Sequence, residues 1–326
     1  MDKLKVFATH EFLDKFLQNL NNSYKVETFP GKNINREELL KGVVGTSAIA
    51  CLLTEKIDAE VMDRAGKNLK VIANYAVGYD NIDIKEATKR GICVTNTPGV
   101  LTESVAEHVI ALIMTLYRRI AEGDRLIRRG RFLGWEPDLL LGTSLKDKVI
   151  GIVGLGRIGR WTARLAKNIG MRSIYFNRTR NLEFEEELDC NYHSLDKLLS
   201  MADVVSLSVS LSEETAGLID MEKIKKMKRS ALLINTARGQ IVNQNDLVLA
   251  LKNKLIAGAG IDVFENELEI PTDLMSMENV VLTPHIASAT IEARNAMATV
   301  LVDNLVDALE GRNPSCLINK EVYNYD

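Results

Sequence analysis

The chain has 326 residues, of which 46% are apolar and 26% charged, with a formal net charge of −3 and an isoelectric point near 6.0. This length exceeds what one hydrophobic core usually serves, so two domains are expected, and the ordinary composition excludes a disordered or fibrous protein. The weak negative charge argues against a nucleic-acid partner, and the lack of a signal-like start or a bilayer-length apolar run predicts a cytoplasmic protein with no membrane partner.

The first hundred residues alternate short β-branched runs with helical patterns. The runs are LKVFAT, YKVETF, SAIACLLT, LKVIANYA and ICVTNT, with helices predicted from about residues 11, 35 and 58. Strands that alternate with helical crossovers predict a parallel sheet covered on both faces. We therefore expect an α/β unit with a flavodoxin-like outline.

A second βα series follows residue 99. The periodic stretch TESVAEHVIALIMTLYRRI predicts one long helix with Thr102 near its N-cap. Six apolar runs then follow, DKVIGIVGLG, SIYFN, VVSLSV, ALLINT, AGAGIDV and VVLTPHI, and a last helix is predicted over residues 290–309. Six strands in this order predict a complete Rossmann sheet, so the fold class is α/β with two doubly wound parallel sheets.

A glycine fingerprint, GLGRIG, joins the first strand of this second series to a helix. Gly154 would make the tight turn, Gly156 would let the backbone approach a pyrophosphate, and Gly159 would let helix and strand pack closely. With Arg157 and Ile158 between the glycines, this segment is predicted to bind a dinucleotide at the helix N-terminus. The alternative is a glycine-rich turn without a ligand.

The end of the next strand bears on the choice of dinucleotide. An acidic residue there would accept hydrogen bonds from both ribose hydroxyls of NAD, but this chain has Asn177, Arg178, Thr179 and Arg180. Two cations suit a 2′-phosphate, so we predict that NADP is preferred. The alternative is that NAD is used and the arginines are solvated loop charges.

Three polar residues follow three later strands and suggest an acid–base centre. Arg238 occurs in INTARGQ, Glu267 in DVFENE and His285 in LTPHIAS. The carboxyl edge of an open α/β sheet is where ligands bind, so these distant positions can meet. Arg238 suits a carboxylate or carbonyl oxygen, His285 can transfer a proton, and Glu267 would favour the protonated imidazole. The four cysteines are widely spaced, which predicts reduced thiols and no metal site.

Over nearly its whole length the chain resembles the D-isomer-specific 2-hydroxyacid dehydrogenase family. The motifs are NYAVGYDNID, TNTPGVLTESVAEH, GIVGLGRIGR, LINTARGQIVN, AGIDVFENE and LTPHIASAT, in family order. The arginines after the second cofactor-domain strand and the segment GWEPDLLLG are most similar to glyoxylate and hydroxypyruvate reductases. Two positions depart from the family pattern: Leu268 replaces a usual Pro, which leaves the path of that loop open, and Ala287 replaces a common Gly.

The resemblance implies roles for particular residues. Arg238, Glu267 and His285 would be catalytic, and the backbone N–H groups of Val77 and Gly78 would hold the substrate carboxylate. Further positions are assigned to the substrate pocket (Leu53, Ser288), the nicotinamide side (Thr102, Thr236, Ala237, Asp262) and a partner's active site (Trp135). The alternative for Asp262 is a purely structural role, and the alternative for Trp135 is that it is an aromatic residue buried in an interface.

The resemblance also implies a domain plan and a reaction. Residues 1–98 and 287–326 would form the substrate domain and residues 99–286 the dinucleotide-binding Rossmann domain, hinged on two connecting helices, in a homodimer. The implied reaction is reduction of glyoxylate or hydroxypyruvate to the 2-hydroxy acid, with His285 as general acid. There are two alternatives. The first is a D-lactate, phosphoglycerate or other 2-hydroxyacid dehydrogenase, and the second is a dinucleotide-sensing protein like a corepressor. His108 is expected to be a core or interface residue, or to cap a hinge.

Overall fold

The computed structural model describes residues 3–323 of the chain. Within them, residues 3–101 and 290–323 form one compact unit, and residues 102–289 form a second. The boundaries predicted from the sequence, after residue 98 and before residue 287, lie slightly earlier at both junctions.

The first unit is built on a five-stranded parallel sheet. Its strands and helices in chain order are β1 (Lys5–Ala8), a 3-10 helix (Glu11–Leu13), α1 (Asp14–Leu17), a 3-10 helix (Gln18–Asn22), β2 (Lys25–Thr28), α2 (Arg36–Gly42), β3 (Ala48–Cys51), α3 (Ala59–Ala65), β4 (Val71–Asn74), α4 (Ile84–Lys89) and β5 (Cys93–Thr95). The strand order is β2-β1-β3-β4-β5 and all pairs are parallel. This is the flavodoxin-like order, as predicted.

Local sequence explains where the helices of this unit begin. The side chains of Asn35, Asp58 and Asp83 each accept a hydrogen bond from a backbone N–H in the first turn of the helix that follows. Such caps satisfy donors that have no partner inside the helix.

The C-terminal helix (Ile291–Leu309) belongs to the same unit. Thr290 caps it by accepting from the N–H of Ala293, and the helix packs against β4. The hydroxyl of Tyr75, just after β4, donates to the carbonyl of Arg294 at 2.6 Å. The last predicted helix is therefore confirmed, and it covers the first sheet. A 3-10 helix (Lys320–Val322) follows it.

The second unit is built on a seven-stranded parallel sheet. Its elements are α5 (Thr102–Tyr117), α6 (Ile120–Arg128), β6 (Val149–Val153), α7 (Arg157–Asn168), β7 (Arg172–Phe176), α8 (Leu182–Leu188), β8 (Cys190–Tyr192), α9 (Leu195–Met201), β9 (Val204–Leu207), α10 (Met221–Ile224), β10 (Leu232–Asn235), a 3-10 helix (Gly239–Ile241), α11 (Gln244–Lys252), β11 (Gly258–Ile261), α12 (Thr272–Ser276) and β12 (Val280–Leu282). The order is β12-β11-β10-β9-β6-β7-β8.

This order is that of a Rossmann sheet with one more strand than predicted. The six predicted strands are all present, and β8 is the additional one, paired in parallel with β7 at the edge of the sheet. The prediction of six strands was wrong because β8 has only three residues, of which only Cys190 is buried. An edge strand this short and polar shows no alternation of apolar and polar residues from which a strand could be predicted.

The long helix predicted after residue 99 is interrupted. Helix α5 ends at Tyr117, Arg119 takes a left-handed conformation with φ of 52°, and α6 begins at Ile120. The carbonyl of Tyr117 accepts the N–H of Thr143. In a continuous helix this carbonyl would accept the N–H four residues further on, so the contact with Thr143 replaces a helical hydrogen bond. The apolar residues keep their helical spacing across the break, so the sequence pattern does not reveal that the helix ends there.

Apolar side chains cover both faces of the second sheet, as a doubly wound sheet requires. One cluster lies under α9, α10 and α11, and the other under α5 and α7. Among residues 3–323, no helix combines the length and the apolar character needed to cross a bilayer.

Candidate active site

The glycine fingerprint lies between β6 and α7, at the carboxyl end of the central strand. Gly154 has φ of 102°, and a Cβ there would lie 2.6 Å from the carbonyl oxygen of Ser208. A Cβ on Gly159 would clash with the carbonyl of Gly154. These two glycines are thus required by the protein's own packing.

Gly156 has a different reason to be glycine. A Cβ built on Gly156 meets no protein atom within 4 Å, so the space beside this backbone is open. Gly156 is also the N-cap of α7, and no side chain caps that helix. The open space and the uncapped N–H groups fit a pyrophosphate held at a helix N-terminus, with Arg157 and Ile158 in the first turn.

Three of the four residues after β7 are held by a neighbour. The side-chain oxygen of Asn177 accepts the N–H of Leu155 at 2.7 Å and so fixes the glycine loop. Arg178 donates to Glu214 at 2.9 Å, and both side chains are largely exposed. Arg180 binds both carboxylate oxygens of Glu185 at 2.7 and 2.8 Å. Thr179 is exposed between them.

The ion pair of Arg180 is the stronger of the two. Hydrogen bonding from Arg180 lowers the pKa of Glu185 to about 2, and burial, which raises that pKa, only partly opposes it. Arg178 has a single contact in water, where ion pairs are weak. Arg178 is therefore the cation that can change partner at lower cost.

Arg238 lies in a turn after β10 that a buried amide shapes. The side chain of Asn235 donates to the carbonyl of Arg238 at 2.9 Å and accepts the N–H of Ala237 at 3.1 Å. Asn235 is 1% exposed, whereas Thr236, Ala237 and Arg238 are half-buried. The turn therefore presents Arg238 from a fixed backbone.

Gly239 makes this turn possible. A Cβ on Gly239 would overlap the main chain of Phe264 and Glu265, in the segment that follows β11. The backbone just after Arg238 thus packs directly on the segment that leads to Glu267. Any larger residue would push these two segments apart.

His285 and Glu267 are directly paired. The Nδ1 atom of His285 lies 2.6 Å from Oε1 of Glu267, and a carboxylate can only accept, so Nδ1–H donates. The opposite ring nitrogen, Nε2, is then the one left to act on a substrate. The imidazole is 21% exposed, which allows contact with a ligand while its orientation is held.

The loop that carries Glu267 is closed by its own residues. The side chain of Asn266 accepts the N–H of Leu268 and donates to Glu269, and the N–H of Glu269 donates to the carbonyl of Asn266. Leu268 itself is 94% exposed. The loop therefore keeps a defined turn without the proline that the family usually has there.

Asp262 holds the backbone at His285 and directly after it. It is fully buried, its carboxylate accepts the N–H groups of Ile286 and Ala287 at 2.9 Å each, and its carbonyl accepts the N–H of His285 at 2.8 Å. His285 is held at φ of 52°, which L-residues rarely adopt. The contact of Asp262 with a nicotinamide stays a prediction.

The predicted carboxylate-binding residues of the first unit follow β4. The carbonyls of Val77 and Gly78 accept the side-chain amides of Asn96 and Asn74, at 2.7 and 2.8 Å. Among the described residues, none accepts a hydrogen bond from the N–H of Val77 or Gly78. The segment is thus fixed through its carbonyls while two donors are left for a ligand. Leu53, after β3, is half-buried.

Three further predicted residues have less distinctive surroundings. Thr102 is buried and is the first residue of α5, and Ser288 is half-buried beyond the His285 loop. Trp135 is 83% exposed, in the segment after α6. Their roles stay predictions.

The sequence analysis did not identify the buried polar residues whose hydrogen bonds hold the backbone of the candidate site. Asn235 and Asn74 are the last residues of buried strands. A polar residue at the end of an apolar run was the feature of the sequence that could have identified them. His108 was assigned to the core or an interface, but its ring lies 3.0 Å from the hydroxyl of Thr283. Nothing in the helical pattern around His108 indicated that partner.

The chain matches known proteins over most of its length. Residues 110–287 match the family model described as D-isomer specific 2-hydroxyacid dehydrogenase, NAD binding domain. A glyoxylate reductase of Pyrococcus furiosus is 46% identical over 325 residues, which cover 98% of this chain and 96% of that protein.

Solved structures agree over the same length. A protein of Thermus thermophilus matches with a TM-score of 0.91 and 43% identity, over 97% of this chain and all of that one. An NADPH-dependent glyoxylate/hydroxypyruvate reductase of Sinorhizobium meliloti, in complex with NADP and malonate, matches with a TM-score of 0.86 and 32% identity, over 98% of both chains.

Proposed function

Since this chain belongs to the family of D-isomer specific 2-hydroxyacid dehydrogenases, we propose that it reduces glyoxylate or hydroxypyruvate with NADPH. That it is an oxidoreductase reducing a 2-oxo acid with a nicotinamide dinucleotide follows from the family and the relatives. The observation that best supports an active catalyst is the 2.6 Å pair of His285 and Glu267 at the carboxyl edge of a sheet with a dinucleotide fingerprint.

The chemistry follows from three side chains. A reduced nicotinamide dinucleotide, when held at the glycine fingerprint, would supply the hydride that the keto carbon accepts. His285 gives its Nε2 proton to the carbonyl oxygen, which becomes the hydroxyl, while Glu267 accepts from Nδ1 and holds the ring. The guanidinium of Arg238 binds the carbonyl and carboxylate oxygens, where negative charge develops.

The remaining predicted residues complete this proposal. The N–H groups of Val77 and Gly78 bind the carboxylate, and Leu53 and Ser288 limit the size of the substrate. Thr102, Thr236 and Ala237 border the nicotinamide. We expect two- and three-carbon keto acids to be favoured over branched ones, because one added methylene can change discrimination roughly 10- to 200-fold.

A keto-acid panel tests this function. We expect NADPH absorbance to fall faster with glyoxylate or hydroxypyruvate than with pyruvate, phosphohydroxypyruvate or a branched 2-oxo acid. Pyruvate or phosphohydroxypyruvate giving the highest kcat/KM would instead indicate a D-lactate or phosphoglycerate dehydrogenase. Turnover with none of them would favour a dinucleotide-sensing protein.

We propose that NADPH is preferred over NADH because of Arg178, with a smaller part for Arg180. Arg178 exchanges its exposed contact with Glu214 for the 2′-phosphate, which offers a doubly charged acceptor. Asn177 stands where a carboxylate would repel that phosphate, and its own oxygen is engaged by Leu155.

Replacing Arg178 tests this preference. We expect Arg178→Ala to raise KM for NADPH about tenfold and to leave KM for NADH unchanged, since only NADPH carries the phosphate. Arg164→Ala is the matched control, because Arg164 pairs with Glu187 on neighbouring helices away from the loop. An equal effect on both cofactors would contradict the proposal.

We also propose that two copies of this chain associate through the segment 120–141. Of the fifteen large apolar side chains that are exposed among residues 3–323, seven lie in it: Ile120, Ile127, Phe132, Leu133, Trp135, Leu139 and Leu141. Scattered exposed apolar residues are normal, but such a concentration marks an interaction surface. Homodimers are the commonest assembly.

A charged substitution tests the dimer. We expect Leu133→Glu to convert a dimer into a monomer in light scattering, because Leu133 is 93% exposed within this segment. Leu249→Glu is the control, since Leu249 is half-exposed on α11, outside the segment. A monomeric unmodified protein, or equal dissociation of both variants, would refute the proposal.

A further inference from the structure

His108 connects helix α5 to the strand that precedes the catalytic loop. Its Nε2 atom lies 3.0 Å from Oγ1 of Thr283, at the end of β12, and 3.5 Å from Oδ1 of Asp262, at the end of β11. The His108 side chain is 17% exposed. Three elements that are distant in sequence therefore share one hydrogen-bonded cluster.

The hydrogen bonds in this cluster have a defined direction. The hydroxyl of Thr283 lies 2.6 Å from Oδ1 of Asp262, whose carboxylate can only accept. A hydroxyl has a single hydrogen, so Thr283 donates to Asp262 and must accept from His108. His108 thus carries its hydrogen on Nε2 and begins a chain of oriented bonds that ends on the carboxylate.

That carboxylate is the group that shapes the catalytic loop. Burial raises the pKa of Asp262, but hydrogen bonds from His108, Thr283 and the N–H groups of Ile286 and Ala287 outweigh it and keep the pKa below its usual value. The buried negative charge therefore persists and holds the two N–H groups directly after His285.

We propose that His108 is a positioning residue for the catalytic imidazole, acting through Thr283 and Asp262. Its hydrogen bond keeps Thr283 aimed at Asp262, and the carboxylate in turn holds the left-handed backbone at His285. The site needs this support because a left-handed conformation in a non-glycine residue persists only where the surroundings enforce it. The inference rests on the proposed role of His285 as proton donor.

Substitutions at His108 separate positioning from packing. We expect His108→Leu to lower kcat about tenfold and to leave KM for NADPH unchanged, because the glycine loop and the arginines after β7 are untouched. His108→Gln keeps an N–H at the end of a side chain of similar reach, so we expect it to recover most of the lost kcat. Packing alone predicts no such recovery.

A control on the same helix removes a hydrogen bond that does not lead to His285. The hydroxyl of Tyr117 donates to the carbonyl of Asp203 at 3.1 Å, so Tyr117→Phe should change the melting temperature without changing kcat. A kcat for His108→Leu equal to that of Tyr117→Phe would overturn the inference.

A double substitution tests the pathway. Thr283→Val removes the hydroxyl between His108 and Asp262, so adding His108→Leu to it should lower kcat by less than His108→Leu does alone, the remainder coming from the direct 3.5 Å contact of His108 with Asp262. Losses that multiply would show that the two residues act separately and would refute the pathway. An unmodified protein that reduces no keto acid would instead refute the proposed function, so the two failures are distinguishable.

Discussion

We expect His285→Gln to lower kcat about a thousandfold while the Kd for NADPH, measured by nicotinamide fluorescence, stays unchanged. General acids contribute roughly 10²–10⁴-fold to catalysed proton transfers, and Gln offers no proton that it can release. Because the imidazole donates from Nδ1 to Glu267, its Nε2 is the only position from which it can serve the carbonyl oxygen.

Two substitutions of Glu267 distinguish the effect of its charge from its effect on the orientation of the His285 ring. Glu267→Gln retains an acceptor for Nδ1 and should cost less than Glu267→Ala, which leaves the ring without a partner. His193→Gln makes the same chemical change at a half-buried histidine after β8 and should leave kcat as it is. Normal kcat in His285→Gln would show that another group donates the proton.

The sequence predicted most of the fold because strand and helix periods are local. Apolar runs separated by helix-length segments specified eleven of the twelve strands, and parallel order followed from the crossovers. The failures were also local. Three residues at Cys190–Tyr192 cannot display an alternation, and the break at Arg119 depends on a hydrogen bond from Thr143, which no window around α5 contains.

The positions of the three candidate residues could be predicted because each follows the end of a strand. Arg238, Glu267 and His285 each follow a strand of one parallel sheet, so topology alone suggested that they share an edge. The supporting residues were not predicted in these roles, because an apolar period does not show where a polar side chain finds its hydrogen-bond partner. Asn235 acts on the turn after its own strand, whereas His108 acts on a strand 175 residues away.

Two segments show how packing places the candidate catalytic residues. The turn after Arg238 can lie on the Phe264 segment only because residue 239 has no side chain. The same segment leads to Glu267, which holds His285. Arginine, carboxylate and imidazole are therefore placed by contacts between neighbouring strand ends, and a change in one turn is transmitted to the others.

Arg238→Gln should lower kcat/KM for the keto acid by about a thousandfold, because it removes the positive charge from the oxygens on which negative charge develops. Arg238→Lys keeps the charge but loses the planar fork, so we expect an intermediate loss with a clearly raised KM for the keto acid. Steady-state kinetics at saturating NADPH would measure both values.

The matched control lies at the other end of the same strand. Arg229 is exposed just before β10 and donates to the carbonyl of Lys254, so Arg229→Gln removes an arginine at the amino end of this strand, away from its carboxyl edge. If Arg238→Lys retained full kcat/KM, the guanidinium would act only as a point charge, and its two-point contact with the keto acid would be wrong. If Arg238→Gln matched Arg229→Gln, Arg238 would contribute nothing to substrate binding, and the N–H groups of Val77 and Gly78 would hold the carboxylate without it.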